Sequence, residues 1–265
     1  MNSLLKIQNL NIIHTQSGKT ILRDFRISLQ RGRIHAVIGE SGSGKTTLAL
    51  LLFKLSHPDL NYYYDVFTLL NREYKDISKK EWLNLRGKNI ILIPQNPANA
   101  FHPYRKVGVQ IKEYFYLKDK KLANKPFILH ILEEIGIKEA EEKLNRLPAE
   151  LSGGERQRIL IAVAIALKPD ILVADEPTTA LDSINEKNTL DLLYRLVSES
   201  GIGLLLITHD MRIVEGIADD VTVLKKGEFV ENARIQAAQV LLNHPYSKSL
   251  FEGSMRYRVP GGIIE

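Results

Sequence analysis

Residues 39–46 read GESGSGKT, directly behind the apolar run IHAVI (34–38) and overlapping the start of the leucine-rich stretch TTLALLLFKL (46–55). A short apolar run, a glycine-dense turn and a helix-length apolar segment predict strand, loop and buried helix in succession. The loop has the spacing G-x-x-x-x-G-K-[ST], with Gly39, Gly44, Lys45 and Thr46 in the defining places. Consecutive backbone N–H groups can close around phosphate oxygens only where no bulky Cβ substituent blocks the approach. The helix that follows aims the positive end of its dipole at the same anion. Lys45 supplies a cation for the β and γ phosphates, and Thr46 offers a hydroxyl to Mg²⁺. Together these residues predict a nucleoside triphosphate site.

Holding a triphosphate does not hydrolyse it. A second carboxylate must hold the metal and another group must orient water. The segment DILVADEP (170–177) offers both. Ile171–Ala174 predict a buried parallel strand, from whose end Asp175 and Glu176 emerge. Ligands of such sheets bind at the carboxyl ends of the strands, so the two acids are expected to face the Lys45 loop. In that arrangement Asp175 accompanies Mg²⁺ and Glu176 polarises the attacking water. A third apolar run, GLLLITHD (203–210), ends in His209, placed as a γ-phosphate sensor. A fourth, NIILIP (89–94), ends before Gln95, whose amide is in reach of metal and water.

The wider composition fits a folded protein rather than a disordered one. Of 265 residues, 44% are hydrophobic and 25% charged, as in ordinary globular domains. No apolar stretch reaches the roughly 18 residues of a membrane span, and the N-terminus MNSLLKIQNLNI has no secretory pattern. The chain has no cysteine, which excludes disulfides, thiolate metal sites and cysteine nucleophiles. The net charge of +5 comes from interspersed residues, without the like-charge runs of a nucleic-acid arm.

The stretch LSGGERQR (151–158) narrows the reading. Ser152 is a natural N-cap and the two glycines expose N–H groups at the start of the helix ERQRILIAVAIAL. With ILVADE, the loop EPTTALD (176–182), Gln95 and His209, the chain over about residues 4–232 resembles the ATP-binding subunit of ATP-binding cassette transporters. That resemblance implies an α/β fold with a P-loop NTPase (RecA-like) core, an N-terminal antiparallel β subdomain and an inserted α-helical subdomain at about 96–157. It divides the chain into a cassette, 1–232, and a short C-terminal extension, 233–265. It implies ATP hydrolysis with Mg²⁺, with ATP surrounded by Gly39, Glu40, Ser41, Gly42, Ser43, Gly44, Lys45, Thr46 and Thr47, and metal ligation from Thr46, Gln95 and Asp175. Glu176, His209 and Gln95 would carry the chemistry. Ser152, Gly153 and Gly154 would serve the nucleotide of a second ATPase subunit, a paralogue joined head to tail, and Asp182 would cross that interface. Glu155 stands where the family frequently has glutamine. For the adenine, family members place an aromatic residue near the end of the first strand. Here only His14 stands near that place, and aliphatic side chains are the alternative.

Along the chain, residues 1–33 predict an antiparallel hairpin and 34–56 strand, phosphate loop and helix. Residues 57–88 read as a polar connection with a tyrosine cluster (Tyr62, Tyr63, Tyr64) and a short helix in ISKKEWLNLRGK. Helical periodicity dominates 96–150, a helix is expected at 183–199, and VTVLKKGEFVEN (221–232) reads as a hairpin. No internal repeat is visible, so one cassette is expected.

The pattern QNPANAFHP (95–103) with the tail HPYSKSL (244–250) resembles the peptide and nickel importer class. The run ITHDMRIVEGIADDVTVLKKGEFVE (207–231) is similar to the nickel-importer ATPases of that class, and peptide importers often carry C-terminal cysteines that this chain lacks. Nickel uptake is therefore the expectation, with oligopeptide or dipeptide uptake as the alternative; an exporter ATPase and a soluble cassette protein acting on nucleic acid or ribosomes are the further readings. The implied partners are two transmembrane permease subunits and, indirectly, an extracytoplasmic solute-binding protein, with no nucleic acid. The ATPase is expected at the cytoplasmic face of the membrane. Phe101, His102 and Pro103 are the candidates for gripping the permease.

Overall fold

The computed structural model describes residues 3–252 except 180, 182, 237 and 238. Strand β1 (Ser3–His14) alternates apolar and polar residues, burying Leu5, Ile7, Leu10 and Ile12. The gap of three between Ile7 and Leu10 is absorbed by a register shift at Asn9, whose φ of 56° makes a bulge and keeps Leu10 facing inward. β1 pairs antiparallel with β2 (Thr20–Gln30). Next come β3 (Ile34–Gly39), buried throughout, and α1 (Lys45–Leu52).

Segment 57–88 departs from the sequence reading. It forms β4 (Leu60–Tyr63), β5 (Val66–Leu69) and the two-residue β6 (Arg72–Glu73) before the expected helix α2 (Lys79–Leu85). These strands are too short for period-two alternation to register in sequence; pairing of β4 and β5 with the long β1 makes them. The aromatics around them are core: Phe67 stacks on Tyr74 with centroids 3.9 Å apart, and Trp82 packs edge-on to Tyr74.

Strand β7 (Ile90–Ile93) leads into α3 (Val107–Lys118), α4 (Lys125–Glu134) and α5 (Ala140–Leu144), and the chain returns through α6 (Gly153–Ala166). These helices enclose a core of their own, including Val107, Phe115, Leu132 and Ile159. The α6 sequence shows no clear stripe because both sides are buried: Ile159 and Val163 face the helical core, Ile161 and Ala164 the sheet. Then follow β8 (Ile171–Asp175), α7 (Ser183–Ser200), β9 (Gly203–Thr208), α8 (Met211–Ile217), β10 (Asp220–Lys225), β11 (Glu228–Gln236), β12 (Gln239–Val240) and α9 (Pro245–Phe251). β11 runs through residue 232, where the cassette was expected to end.

The sheet order is β6-β5-β1-β2-β11-β10-β3-β9-β8-β7, with β4 also on β1 and β12 on β11. From β10 to β7 the strands are parallel. Alternation along β9 divides the two faces: Leu205 and Ile207 pack toward Leu48 and Leu51 of α1, whereas Leu204 and Leu206 pack toward Leu190 and Leu193 of α7. A doubly covered parallel sheet explains why its strands read as continuous apolar runs.

Candidate functional site

The register of the parallel strands aligns their carboxyl ends. Ile38 pairs with Thr208, Ile207 with Asp175 and Ala174 with Ile93. Gly39, His209, Asp175 with Glu176, and Gln95 therefore emerge at one edge of the sheet, although 170 residues of chain separate Gly39 from His209.

The loop after β3 turns through left-handed glycines, Gly42 at φ 78° and Gly44 at φ 86°. A Cβ on Gly44 would lie 2.9 Å from the Ile21 carbonyl, so that position needs glycine for space as well as for conformation. Ser43 is buried, Glu40, Ser41, Gly42 and Thr46 are exposed, and Thr47 is half-buried. Lys45 is 6% exposed and its Nζ donates to the carbonyls of Gly39 (2.7 Å) and Glu40 (2.9 Å) and to Ser43 Oγ (3.3 Å). Burial lowers the Lys45 pKa, opposed by the carboxylates of Glu176 and Asp175.

Asp175 is 3% exposed. Burial raises its pKa and Glu176 adds to the effect, against a hydrogen bond from the Thr46 hydroxyl and the charge of Lys45. Glu176 has a left-handed backbone, φ 46°, unfavourable for a residue with a Cβ and held by its N–H bond to the Ile207 carbonyl (2.8 Å). The turn delivers its carboxylate to three side chains. Oε2 accepts from Gln95 Nε2 (3.0 Å) and Thr179 Oγ1 (3.2 Å), and Oε1 lies 3.0 Å from His209 Nδ1. Lys45, Thr46, Gln95, Asp175, Glu176 and His209 thus form one cluster.

Ser152 caps α6 as its sequence suggests. The Glu155 N–H donates to Ser152 Oγ (3.2 Å) and the Ser152 N–H to Glu155 Oε2 (2.8 Å). Ser152 is exposed and Gly153 and Gly154 are half-buried; the cap bonds within its own helix rather than to the Lys45 loop. Glu155 also pairs with Lys143 of α5, an explanation for the acid at this position. A link absent from the sequence reading is Gln157, whose buried Nε2 donates to the Pro177 carbonyl (2.9 Å) and ties α6 to the end of β8.

Other expectations fare differently. His14 is the last residue of β1, beside the hairpin turn, with the Ser17 N–H 3.4 Å and Ser17 Oγ 3.2 Å from its Nδ1. Asp182 lies outside the described residues. Phe101 is corrected: it is 5% exposed and belongs to the helical core, so it is not free to grip another subunit. His102 and Pro103 are exposed, and beside them Tyr104, which the sequence reading passed over, is 85% exposed.

Residues 22–179 match the family model described as ABC transporter. The chain belongs to the ABC transporter family. This ABC cassette is 35% identical to the oligopeptide transport ATP-binding protein OppD of Lactococcus lactis subsp. cremoris, over 98% of this chain and 81% of the relative. It is 36% identical to the glutathione import ATP-binding protein GsiA of Shigella dysenteriae, over 94% of this chain but only 41% of that protein. Among solved structures, the dimeric post-hydrolysis state of the ATP-binding cassette MJ0796 bound to ADP and phosphate superposes with a TM-score of 0.72 at 25% identity, covering 88% of this chain and 99% of that one. The cassette is accordingly an ATP-binding ATPase with a P-loop NTPase core. No helix among its described residues is long and apolar enough to cross a membrane.

Proposed function

We propose that this chain is the ATPase subunit of an importer for small peptides, acting at the cytoplasmic face of the membrane with a second, head-to-tail ATPase subunit, two permease subunits and, indirectly, a solute-binding protein. The supporting observation is the placement of Glu176 between Gln95, Thr179 and His209 beside Lys45, in a chain matched almost end to end by an oligopeptide transport ATPase. The nickel reading yields to its alternative, because the relatives reported above are named for oligopeptide and glutathione.

In this reading residues 39–47 hold the triphosphate and Lys45 turns its ammonium from the Gly39 and Glu40 carbonyls to phosphate oxygens. Glu176 orients water for in-line attack on the γ-phosphorus and takes its proton. Gln95 and Thr179 keep the carboxylate aimed, and His209 senses the γ-phosphate from its other side. Mg²⁺ fits the donor set, a Thr46 hydroxyl, a Gln95 amide and the Asp175 carboxylate, all hard oxygen ligands. The buried Asp175 has its pKa raised by desolvation, and a cation beside it would stabilise the ionised form. When bound, Mg²⁺ neutralises charge on the β and γ oxygens. Gly153 and Gly154 present their N–H groups, and Ser152 its hydroxyl, to the partner subunit's ATP, and the exposure of Ser152 in the single chain suits the role. Adenine contact by His14 is compatible with its place at the end of β1.

The cargo is tested by reconstituting the ATPase with its permease subunits and binding protein in vesicles. Hydrolysis stimulated by short peptides and indifferent to Ni²⁺ is expected; stimulation by Ni²⁺ alone would overturn the peptide reading.

A further inference from the structure

Glu40, second residue of the phosphate loop, is held at two places by different parts of the chain. Its carbonyl accepts from Lys45 Nζ (2.9 Å) and from the Ser43 N–H (3.2 Å). Its carboxylate Oε1 accepts from the Tyr246 hydroxyl at 3.2 Å, a contact spanning 206 residues.

Tyr246 lies in α9 and is itself fixed from several sides. Lys225 Nζ, at the end of β10, sits over its ring 4.5 Å from the centroid. The Tyr246 N–H donates to His244 Nδ1 (3.1 Å). The N–H groups of Asn243 and His244 each donate to the Glu231 carboxylate of β11 at 3.0 Å. The ring packs on the core layer that also receives Leu250 and Phe251. The loop is pressed from the same side at its start, where a Cβ on Gly39 would lie 2.5 Å from the Leu224 carbonyl. Burial and the Glu40 carboxylate raise the Tyr246 pKa, so its hydroxyl remains a donor at neutral pH.

A loop containing three glycines has many backbone conformations open to it, and its affinity for a ligand falls with the fraction of time spent in the binding one. We infer that Tyr246 is a positioning residue for the phosphate loop: by holding Glu40 it keeps the segment around Lys45 in its binding conformation, and the C-terminal helix thereby sets the affinity for ATP. This rests on reading residues 39–46 as the phosphate cradle.

The test is calorimetric titration of MgATP into the full chain, with ATPase KM and kcat measured alongside. Tyr246→Phe retains the ring and its Lys225 contact and loses only the hydroxyl. It is expected to weaken ATP binding about three- to ten-fold, the scale of one net hydrogen bond at a solvent-exposed contact. KM should rise by the same factor with kcat at saturating ATP unchanged. Glu40→Ala should weaken ATP binding at least as much, Glu40→Gln, which keeps an acceptor oxygen, should restore most of the affinity, and the Tyr246→Phe/Glu40→Ala pair should be no worse than Glu40→Ala alone. Affinity within two-fold of wild type in Tyr246→Phe, or additive losses in the pair, would overturn the inference. Lys45→Ala separates the two ideas. If it abolishes binding while Tyr246→Phe does nothing, only the tether fails; if Lys45→Ala binds normally, the cradle reading fails and the tether with it.

Discussion

Gln95 and Glu176 meet at the ends of neighbouring parallel strands, with Gln95 Nε2 donating to Glu176 Oε2 at 3.0 Å. Gln95 also opens the segment that leads into the helical layer, so this hydrogen bond joins that layer to the carboxylate assigned to water activation. The register of β7 on β8, Ile93 against Ala174, sets the distance between them.

Glu176→Gln keeps the size and most hydrogen bonds of the side chain and removes its capacity to take a proton. ATP turnover should fall at least about 100-fold, the scale of general-base catalysis, with ATP affinity retained. Lys45→Ala should do the opposite and weaken binding itself, by about ten-fold or more for a lost charge-assisted contact. Steady-state hydrolysis and equilibrium nucleotide binding on the same preparations check both; undiminished turnover in Glu176→Gln would remove the assigned role.

Gly42 and Gly44 separate backbone conformation from space. Both have positive φ, but a Cβ on Gly42 meets nothing within 4 Å, whereas one on Gly44 lies 2.9 Å from the Ile21 carbonyl and 3.0 Å from the Leu22 side chain. Gly42→Ala should cost about 1–2 kcal/mol, the price of a left-handed residue. Gly44→Ala should cost more, since backbone must move, and should lower Tm further by several degrees. Equal melting temperatures for the two variants would contradict this packing.

Glu155 bears on stability at low pH. Burial works to raise its pKa, yet hydrogen bonds from Lys143 and Ser152 and the Lys143 charge bring it down to about 2 from 4.5. A carboxylate with a depressed folded-state pKa stabilises the fold above its unfolded value and loses that contribution as pH falls from about 4.5 towards 2. Glu155→Gln should therefore be less stable at pH 7 by about 1 kcal/mol, and the gap to wild type should narrow at pH 4. Urea unfolding at both pH values measures it; a gap independent of pH would argue against the ion pair.

His35 works in the opposite sense to a surface histidine. Its Nε2 lies 2.8 Å from Thr222 Oγ1 and its Nδ1 3.2 Å from the Ser28 carbonyl, and burial lowers its pKa from 6.5 to about 4 against the pull of Asp220. The unfolded chain binds the proton more readily, so stability is full above pH 6.5 and declines as pH falls towards 4, by an amount on the order of 3 kcal/mol. Urea unfolding at pH 7.5 and 5 should show the decline, and His35→Gln should flatten it.

The parallel strands were legible because a sheet covered on both faces leaves unbroken apolar runs, as in Ile171–Ala174 and Gly203–Ile207. Ser152 was legible as a cap because capping is decided within four residues. The short strands β4 and β5 escaped because their stability lies in pairing with β1, more than 45 residues upstream of the first of them, and β6 exists only by pairing with β5. Phe101 was misplaced for a related reason: an aromatic in a polar loop looks available until helices from elsewhere in the chain close over it.

By itself the sequence determined the chemistry on offer, the glycine loop with its lysine, the acids at a strand end, and the histidine and glutamine after two others, since spacing along a few residues decides what a turn or strand end can present. Tertiary structure alone decided which of these meet and what holds them: Glu176 against Gln95, Thr179 and His209, Gln157 against Pro177, Tyr246 against Glu40. Apart from the local Thr179 bond, these contacts join residues 20 to 206 positions apart, and only strand register and layer packing bring them within hydrogen-bonding distance.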